Sequence, residues 1–363
     1  MSSTIGRREF LKAAAGAAAA AAAPSIVTAK KTDSAAIVGS GEFKYEALHN
    51  WPQLPDKYSW QTTHDVAFDK AGNLYVIHEG HKDKPDHPAI FVFDADGKFV
   101  RAFGQEFQGG GHGLEVHAEN GEEFLYATAY QSLKKFAKLT LKGETIWVRH
   151  APMQSGMYAT GEDKSHKAGM ARNRFQPTNI AFCPDGKGFY VADGYGAYVI
   201  HMYDQDANYQ STFGKPGTAE GQFNLPHGVW TDTRTGREPS VVVADRVNGR
   251  LQWFTLDGAH LETQDGFLLP ANVDTFGELM LVPELQARIT LLDEKNKVVA
   301  RFGDDEAWRK VVMAPGLAAR QHPENCPAGK FLHPHDACFD VHGNIFVAEW
   351  VATGRVTKLR KLS

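Results

Sequence analysis

Four histidines stand at matching points of the chain. His227 follows a proline in "QFNLPHGVW" (222–230), and His335 does the same in "FLHPHDACF" (331–339). His112 in "GGHGLEV" (110–116) and His64 in "THDVAF" (63–68) open similar apolar runs. Imidazole is a common ligand for zinc, and three protein nitrogens at about 2.0–2.1 Å leave a further position for water or substrate. A lone histidine at a strand head is usually a packing residue. Four in register would make a site, or a polar, water-filled channel without metal, if their strand heads meet.

The elements that could make them meet are repeats. The segments 63–80, 111–131, 177–195, 226–246, 270–285 and 334–350 align. Each holds an apolar strand, a glycine or polar turn, and a second apolar strand that often ends in "VAD" or a relative. Third strands read clearly in several, such as "AIFVFDADG" and "RLQWFTLDG". The first-strand positions His64, His112, Thr178, His227, Asn272 and His335 are 48, 66, 49, 45 and 63 residues apart. That period with about four strands per unit predicts a β-propeller of six blades. The excess in the two long spacings falls in 150–174 and 304–330, which read as loop insertions. The candidate strand in 42–51 is placed to close the ring as the outer strand of the last blade, removing an open edge.

With strands A to D running outward from the central channel, three features converge on one face. They are the histidines heading the A strands, the turn residues Glu79, Tyr130, Tyr195, Arg246 and Trp350 after the B strands, and both insertions. Loops on a rigid scaffold are where function concentrates. Glu79 reads as a solvated turn carboxylate, or as a fourth ligand or acid–base group. His64 and His333 could extend a metal site or pack behind it. His78, His81 and His87 in "HEGHKDKPDH" read as a surface loop. Asp245 and Arg250 are expected to tie their turn together, leaving Arg246 free for the site. Asp336 could cap the strand entrance through backbone N–H groups.

The N-terminal stretch "GRREFLKAAAGAAAAAAAPSIVTA" is expected to lie outside the fold. Its paired Arg7 and Arg8, alanine run and "VTA" at 27–29 resemble a twin-arginine export signal covering 1–29. The expectation is a periplasmic or extracellular protein without stable membrane insertion, its residues 30–363 forming one propeller domain. The whole chain carries −4, and 1–29 hold three cations and Glu9, so the remainder carries −6. That gives no reason to expect nucleic acid as a partner. The three cysteines, Cys183, Cys326 and Cys338, have no CxxC spacing and cannot all pair, and Cys183 and Cys338 read as buried thiols. Oligomeric state is not encoded in any pattern of the chain.

Two stretches, "LPHGVW…VVVADRVNGRLQWF" (225–254) and "HPHDACFDVHGNIFVAEW" (333–350), resemble the NHL-repeat propeller of peptidyl-α-hydroxyglycine α-amidating lyase. "RFQPTNIAF…FYVADGYG" (174–196) and "GGHGLEV" fit in order; the likeness spans most of 43–360 and is poor in the fifth blade. The resemblance implies zinc on His112, His227 and His335. It implies Tyr195 and Arg246 as catalytic residues, and a structural calcium held by Asp336 with carbonyls near Val66 and Leu114. The implied reaction cleaves the N–C bond of a peptide-like carbinolamide to an amide and glyoxylate. Departures are specific. Glu79 in "HEG" stands where the family has a catalytic and substrate-binding arginine, His333 replaces a methionine, a family cysteine is absent near "FQP", and His64 is an additional histidine. A rebuilt substrate pocket, and weak or no glyoxylate release, are therefore expected. A non-catalytic propeller binding protein or glycan, and a metal-dependent hydrolase or lactonase, are the other readings. A calcium lactonase would present carboxylates and amides rather than imidazoles at the ring.

Overall fold

The computed structural model describes residues 36–81 and 83–362. The stretch resembling an export signal lies outside these residues. Six antiparallel sheets of short strands follow one another in sequence, as blades of a propeller. Their innermost strands are Thr63–Phe68, Gly111–Glu119, Asn179–Phe182, Pro226–Asp232, Asp274–Phe276 and Pro334–Phe339. The B strands that pair with them are the most apolar segments of the chain, for example Ser240–Asp245 and Leu74–His78. Both of these are buried along their whole length because each blade packs on both neighbours.

The sixth blade closes the ring. Phe43–Leu48 pairs antiparallel with the C-terminal strand Arg355–Lys361, as the sequence predicts. A further strand, Ala36–Ser40, pairs outside it, so this blade has five strands. Tyr45 and Ala47 join a core cluster with Ile289, Leu291 and Phe302 of the fifth blade, so pairing of the chain ends also buries apolar surface.

A buried polar group at the end of each of four B strands holds the loop that leads into its own A strand. Asp193 accepts from Gln176 N (2.7 Å), Asp245 from Asn224 N (2.7 Å) and Glu349 from Leu332 N (2.8 Å). Glu284 accepts likewise from Leu268 N. These contacts fix the segments leading into the strand heads and satisfy buried N–H groups that would otherwise be costly. Asp245 is also bound by Arg250 at 2.8 Å, which leaves Arg246 out of the turn.

His78 occupies the equivalent position in the first blade, and here the expectation of a surface loop fails. It is fully buried, its Nε2 donating to Pro88 O (2.9 Å) and its Nδ1 accepting from Gly80 N (3.2 Å). Only His81 of that patch is openly exposed. The local sequence is polar, but the strand-end position is internal. The three cysteines are free and each is half-buried.

The insertions are not wholly irregular. The first is pinned by Glu162, which is buried between Lys134 (2.6 Å) and Arg174 (2.7 Å) and accepts from Phe175 N. Tyr158 from the same insertion donates to Asp193 at 2.7 Å. The second contains a helix, Glu306–Val312, capped by Asp305 accepting from Trp308 N. Val312 from it packs with Ala287, Leu332 and Val351.

Candidate metal centre

Strand pairing shows what aims the four histidines inward. In the four histidine-bearing A strands, the register with strand B shifts at the histidine. The shifts fall between Thr63 and Asp65, Gly111 and Leu114, Pro226 and Gly228, and Pro334 and Asp336. Such a bulge adds an unpaired residue, bends the strand and re-aims a side chain. The A strands of blades three and five pair without a shift and carry no histidine.

The rings meet on the propeller axis. Centroids are 4.5 Å apart for His64 and His112, 4.7 Å for His112 and His227, and 4.6 Å for both His227–His335 and His64–His335. His112 and His335, at 4.9 Å, form an edge shared by two triangles. His64 lies on one side of that edge and His227 on the other. All four are at most 3% exposed. The His64, His112 and His335 ligand atoms lie within 4.8 Å of one another, a grouping able to hold a metal ion.

Hydrogen bonding separates the two triangles. His112 Nδ1 meets Thr178 O (2.7 Å), His227 Nδ1 meets Ala271 O (2.8 Å) and His335 Nδ1 meets His64 O (2.8 Å). In each case the carbonyl belongs to the next blade. A carbonyl only accepts, so Nδ1 carries the proton and Nε2 presents its lone pair to the axis. This is the outer partner that metal-bound histidines commonly have. His64 lacks it, and both its nitrogens are buried without a partner.

Glycines make the first two of these bonds possible. A Cβ on Gly228 would lie 2.5 Å from Asn272 Cα and 2.8 Å from Ala271 O. On Gly113 it would lie 2.5 Å from Thr178 O. Side chains there would push the neighbouring blade away from the imidazole.

The lone pairs then face each other. His112 Nε2 and His227 Nε2 are 3.1 Å apart, and His335 Nε2 is buried without a partner. Two acceptors at that separation repel unless a cation lies between them. Nitrogens on a tetrahedral zinc stand about 3.3 Å apart, given bonds of about 2.0–2.1 Å. Burial, with neighbouring cationic charge, also holds the His112, His227 and His335 pKa values well below the ordinary imidazole range, so all three are neutral at pH 7. The donor set therefore fits a divalent metal.

Tyr195 places its hydroxyl 3.0 Å from His227 Nε2, 3.4 Å from His112 Nε2 and 3.4 Å from Arg246 Nη1. A phenol activated by arginine alone is not what forms, however. Burial raises the Tyr195 pKa, and the opposing effect of Arg246 is smaller. Arg246 is itself buried, with Nε and Nη2 unpartnered, and desolvation lowers its pKa to about 10. Glu79 is 28% exposed at its side chain, with Oε2 3.7 Å from His64 Nε2. Although burial opposes it, the combined pull of His64, Tyr130 and Arg320 sets its pKa below the usual value. It is thus a paired carboxylate at the rim rather than a freely solvated one. His333 turns aside, its Nδ1 donating to Leu285 O (2.8 Å) and its ring against Trp350.

Below the histidines the channel is acidic. Asp336 accepts from Val66 N (3.0 Å) and Asn272 Nδ2 (2.7 Å). Asp65, Glu115 and Asp274 are held with it, and burial raises the pKa of each, Asp274 to about 7. A cavity of about 150 Å³ touches Val66, Glu115, Asn272, Asp274 and Asp336. The larger groove of about 560 Å³, between blades two and three, lies among the A–B turns at the opposite end from the histidines.

No protein-family model matches the chain. Curated proteins do. The rat peptidylglycine alpha-amidating monooxygenase is 24% identical over 244 residues, covering 60% of this chain and 23% of its own length. A peptidyl-alpha-hydroxyglycine alpha-amidating lyase of Drosophila melanogaster is 24% identical over 341 residues, covering 84% of this chain and 58% of its own. The chain is a six-bladed propeller distantly similar to amidating lyases. It thus spans about a quarter of the first relative's length and under two thirds of the second's. Among solved structures, a virginiamycin B lyase from Staphylococcus aureus with quinupristin matches at TM-score 0.54 and 13% identity, covering 87% of this chain and 100% of that one. A streptogramin B lyase matches at 0.54 and 12%, covering 89% and 99%. These likenesses concern the fold.

Sequence reasoning found the four histidines, Tyr195, Arg246 and Glu79. It did not single out Arg320, whose guanidinium stacks on Trp350, because Arg320 lies in an insertion without a repeat register. The only available signal was an arginine in a segment already expected on the histidine face.

Proposed function

We propose that the chain is a metal-dependent lyase whose metal, zinc, is held by His112, His227 and His335, and that it cleaves a C–N bond in a peptide-like carbinolamide. The observation that carries this reading is the shared second contact of those three histidines, each Nδ1 on a carbonyl of the following blade. His64 is left as an additional group between the metal and Glu79. A divalent ion at this point supplies Lewis acidity and lowers the pKa of a hydroxyl, including that of Tyr195.

The residues of the chain have separable tasks. Tyr195 stands where it can take the proton of a substrate hydroxyl. As that O–H is lost the carbon–oxygen bond becomes a carbonyl, the C–N bond breaks, and the amide nitrogen takes up a proton. Arg246 stabilises the phenolate form of Tyr195 and offers two free N–H directions to negative charge. Burial of the imidazoles excludes water from the centre. The channel carboxylate Asp336, with Val66 and Leu114, is the proposed place for a structural calcium. Export by the twin-arginine route to the periplasm or exterior is part of the same proposal, resting on residues 1–29 alone.

The test is the metal content of the full chain as purified, with amide release from peptide-like carbinolamides that differ in the group on the reacting carbon, since Glu79 in place of an arginine predicts weak or no glyoxylate release from a peptidyl-α-hydroxyglycine itself. Stoichiometric zinc with turnover that stops on chelation supports the reading. A metal-free protein that folds and does not regain turnover with added zinc refutes it and favours a binding propeller.

A further inference from the structure

His64 has a fixed backbone and an unheld ring. Its A strand bulges between Thr63 and Asp65, as the strands of the other three histidines do, so the ring is aimed at the axis. The backbone around it is locked. Thr63 Oγ1 donates to Glu349 O (2.7 Å) and Val66 N donates to Asp336 Oδ2 (3.0 Å). His64 O itself accepts from His335 Nδ1 (2.8 Å), so the carbonyl that orients one proposed metal ligand belongs to His64. The side chain is the opposite case. It is 1% exposed, and neither ring nitrogen has a hydrogen-bond partner among the described residues. Glu79 is near, but its Oε2 stands 3.7 Å from His64 Nε2, too far for a hydrogen bond.

A buried polar ring left unsatisfied costs free energy, and a partner that accepts its lone pair removes part of that cost. The ring centroid is 4.5 Å from that of His112 and 4.6 Å from that of His335. Ligand atoms of the three lie within 4.8 Å of one another. Nitrogens on one tetrahedral zinc stand about 3.3 Å apart, so a shift of roughly 1–2 Å brings His64 into the same set. No hydrogen bond of the ring has to break for that shift. Three histidines leave one tetrahedral position open. Tyr195 stands at the His112–His227 edge, its hydroxyl 3.4 Å and 3.0 Å from the two Nε2 atoms. His64 stands at the other edge, between His112 and His335. The two groups therefore reach the centre by different edges and do not compete for one place.

We propose that His64 is a labile fourth ligand, which fills the open position of the metal in the resting protein and yields it to the incoming substrate, with Glu79 as its positioning residue. The proposal rests on the three-histidine metal reading above. An imidazole bound through one nitrogen carries its proton on the other. A carboxylate commonly takes that proton beside a metal-bound histidine. Glu79 is placed to do so for His64, in the part that backbone carbonyls take for His112, His227 and His335. Two features of the sequence are thereby joined: the additional histidine and the carboxylate in "HEG" form one device. His64 is labile because its outer nitrogen has no fixed carbonyl, while the other three rings are each held by one.

The experiment counts imidazoles on the ion in the zinc-loaded full chain by X-ray absorption at the zinc edge. Wild type is expected to show four, falling to three at saturating azide, and His64→Ala to show three throughout. Azide is then titrated into the cobalt-loaded proteins and followed by visible absorption. It should bind His64→Ala at least about tenfold more tightly than wild type, since no ring has to be displaced. Glu79→Gln is expected to fall between the two, with zinc content unchanged. Thermal melts establish that the variants fold, and the wild-type count needs no variant. Three imidazoles in resting wild type, or equal azide affinity in wild type and His64→Ala, overturns the proposal and leaves the three-histidine metal reading standing. Wild-type azide affinity in Glu79→Gln removes Glu79 from the device. A folded wild type that takes up neither zinc nor cobalt overturns both readings together.

Discussion

Replacing His227 by alanine tests which of the two histidine triangles holds the ion. His227 supplies one Nε2, 3.1 Å from that of His112, and its Nδ1 is already fixed on Ala271 O. Four-ligand structural zinc sites have apparent binding energies of about 10–16 kcal/mol, so one nitrogen accounts for roughly 3 kcal/mol. Loss of His227 should then weaken zinc binding by about 100-fold or somewhat more. The ring would keep His64, His112 and His335, which are grouped closely enough to hold a metal weakly. His64→Ala should do much less, because His64 has no carbonyl on its outer nitrogen and must compete with Glu79. The assay is competition with a chromophoric chelator, run beside thermal melts to show that both variants fold. Cobalt substitution adds a spectroscopic readout of the number of nitrogen ligands. The reasoning is refuted if His227→Ala keeps wild-type affinity while His64→Ala loses the metal. The ion would then sit in the other triangle, and the bond from Nδ1 to the next blade would be only a packing contact.

Other outcomes follow from the same geometry. Gly228→Ala sets a Cβ 2.5 Å from Asn272 Cα, so overpacking should cost about 1–3 kcal/mol in chemical denaturation and also reduce zinc affinity. Glu162→Ala leaves Lys134, 1% exposed, without its partner and should destabilise the protein by about 3–5 kcal/mol, read in urea unfolding. His201, buried against Tyr158 and Thr212, has its pKa lowered to about 3 by burial. The unfolded chain binds that proton from about pH 6.5 downward, so this stability is complete above 6.5 and is lost as pH falls towards 3. At pH 5 the loss is about 2 kcal/mol, and His201→Gln should flatten the unfolding free energy over that range.

The blade count and the closure by 42–51 were legible because a propeller repeats one supersecondary unit, and its apolar alternation survives divergence. The histidines were legible for the same reason, since register with the repeat puts them at strand heads. Their second contacts were not. Thr178 O, Ala271 O and His64 O come from the following blade, and Gly113 and Gly228 matter only because two backbones approach there. The pKa of Tyr195 also escaped the sequence, because burial and the pull of Arg246 oppose each other and only their distances decide the sum. His78 was misplaced because a polar neighbourhood in sequence became an interior strand end.

By itself, then, the sequence determined the repeat, and with it the wheel and the four imidazoles at one end of its axis. Periodic patterning within each blade carries that much, since it depends on residues close in the chain. Tertiary structure decided which imidazoles have outer partners, and that Glu162 of the first insertion is buried between Lys134 and Arg174. Those pairings join residues from different blades and from an insertion outside the repeat. They depend on how closely the blades pack, and no periodicity records that distance.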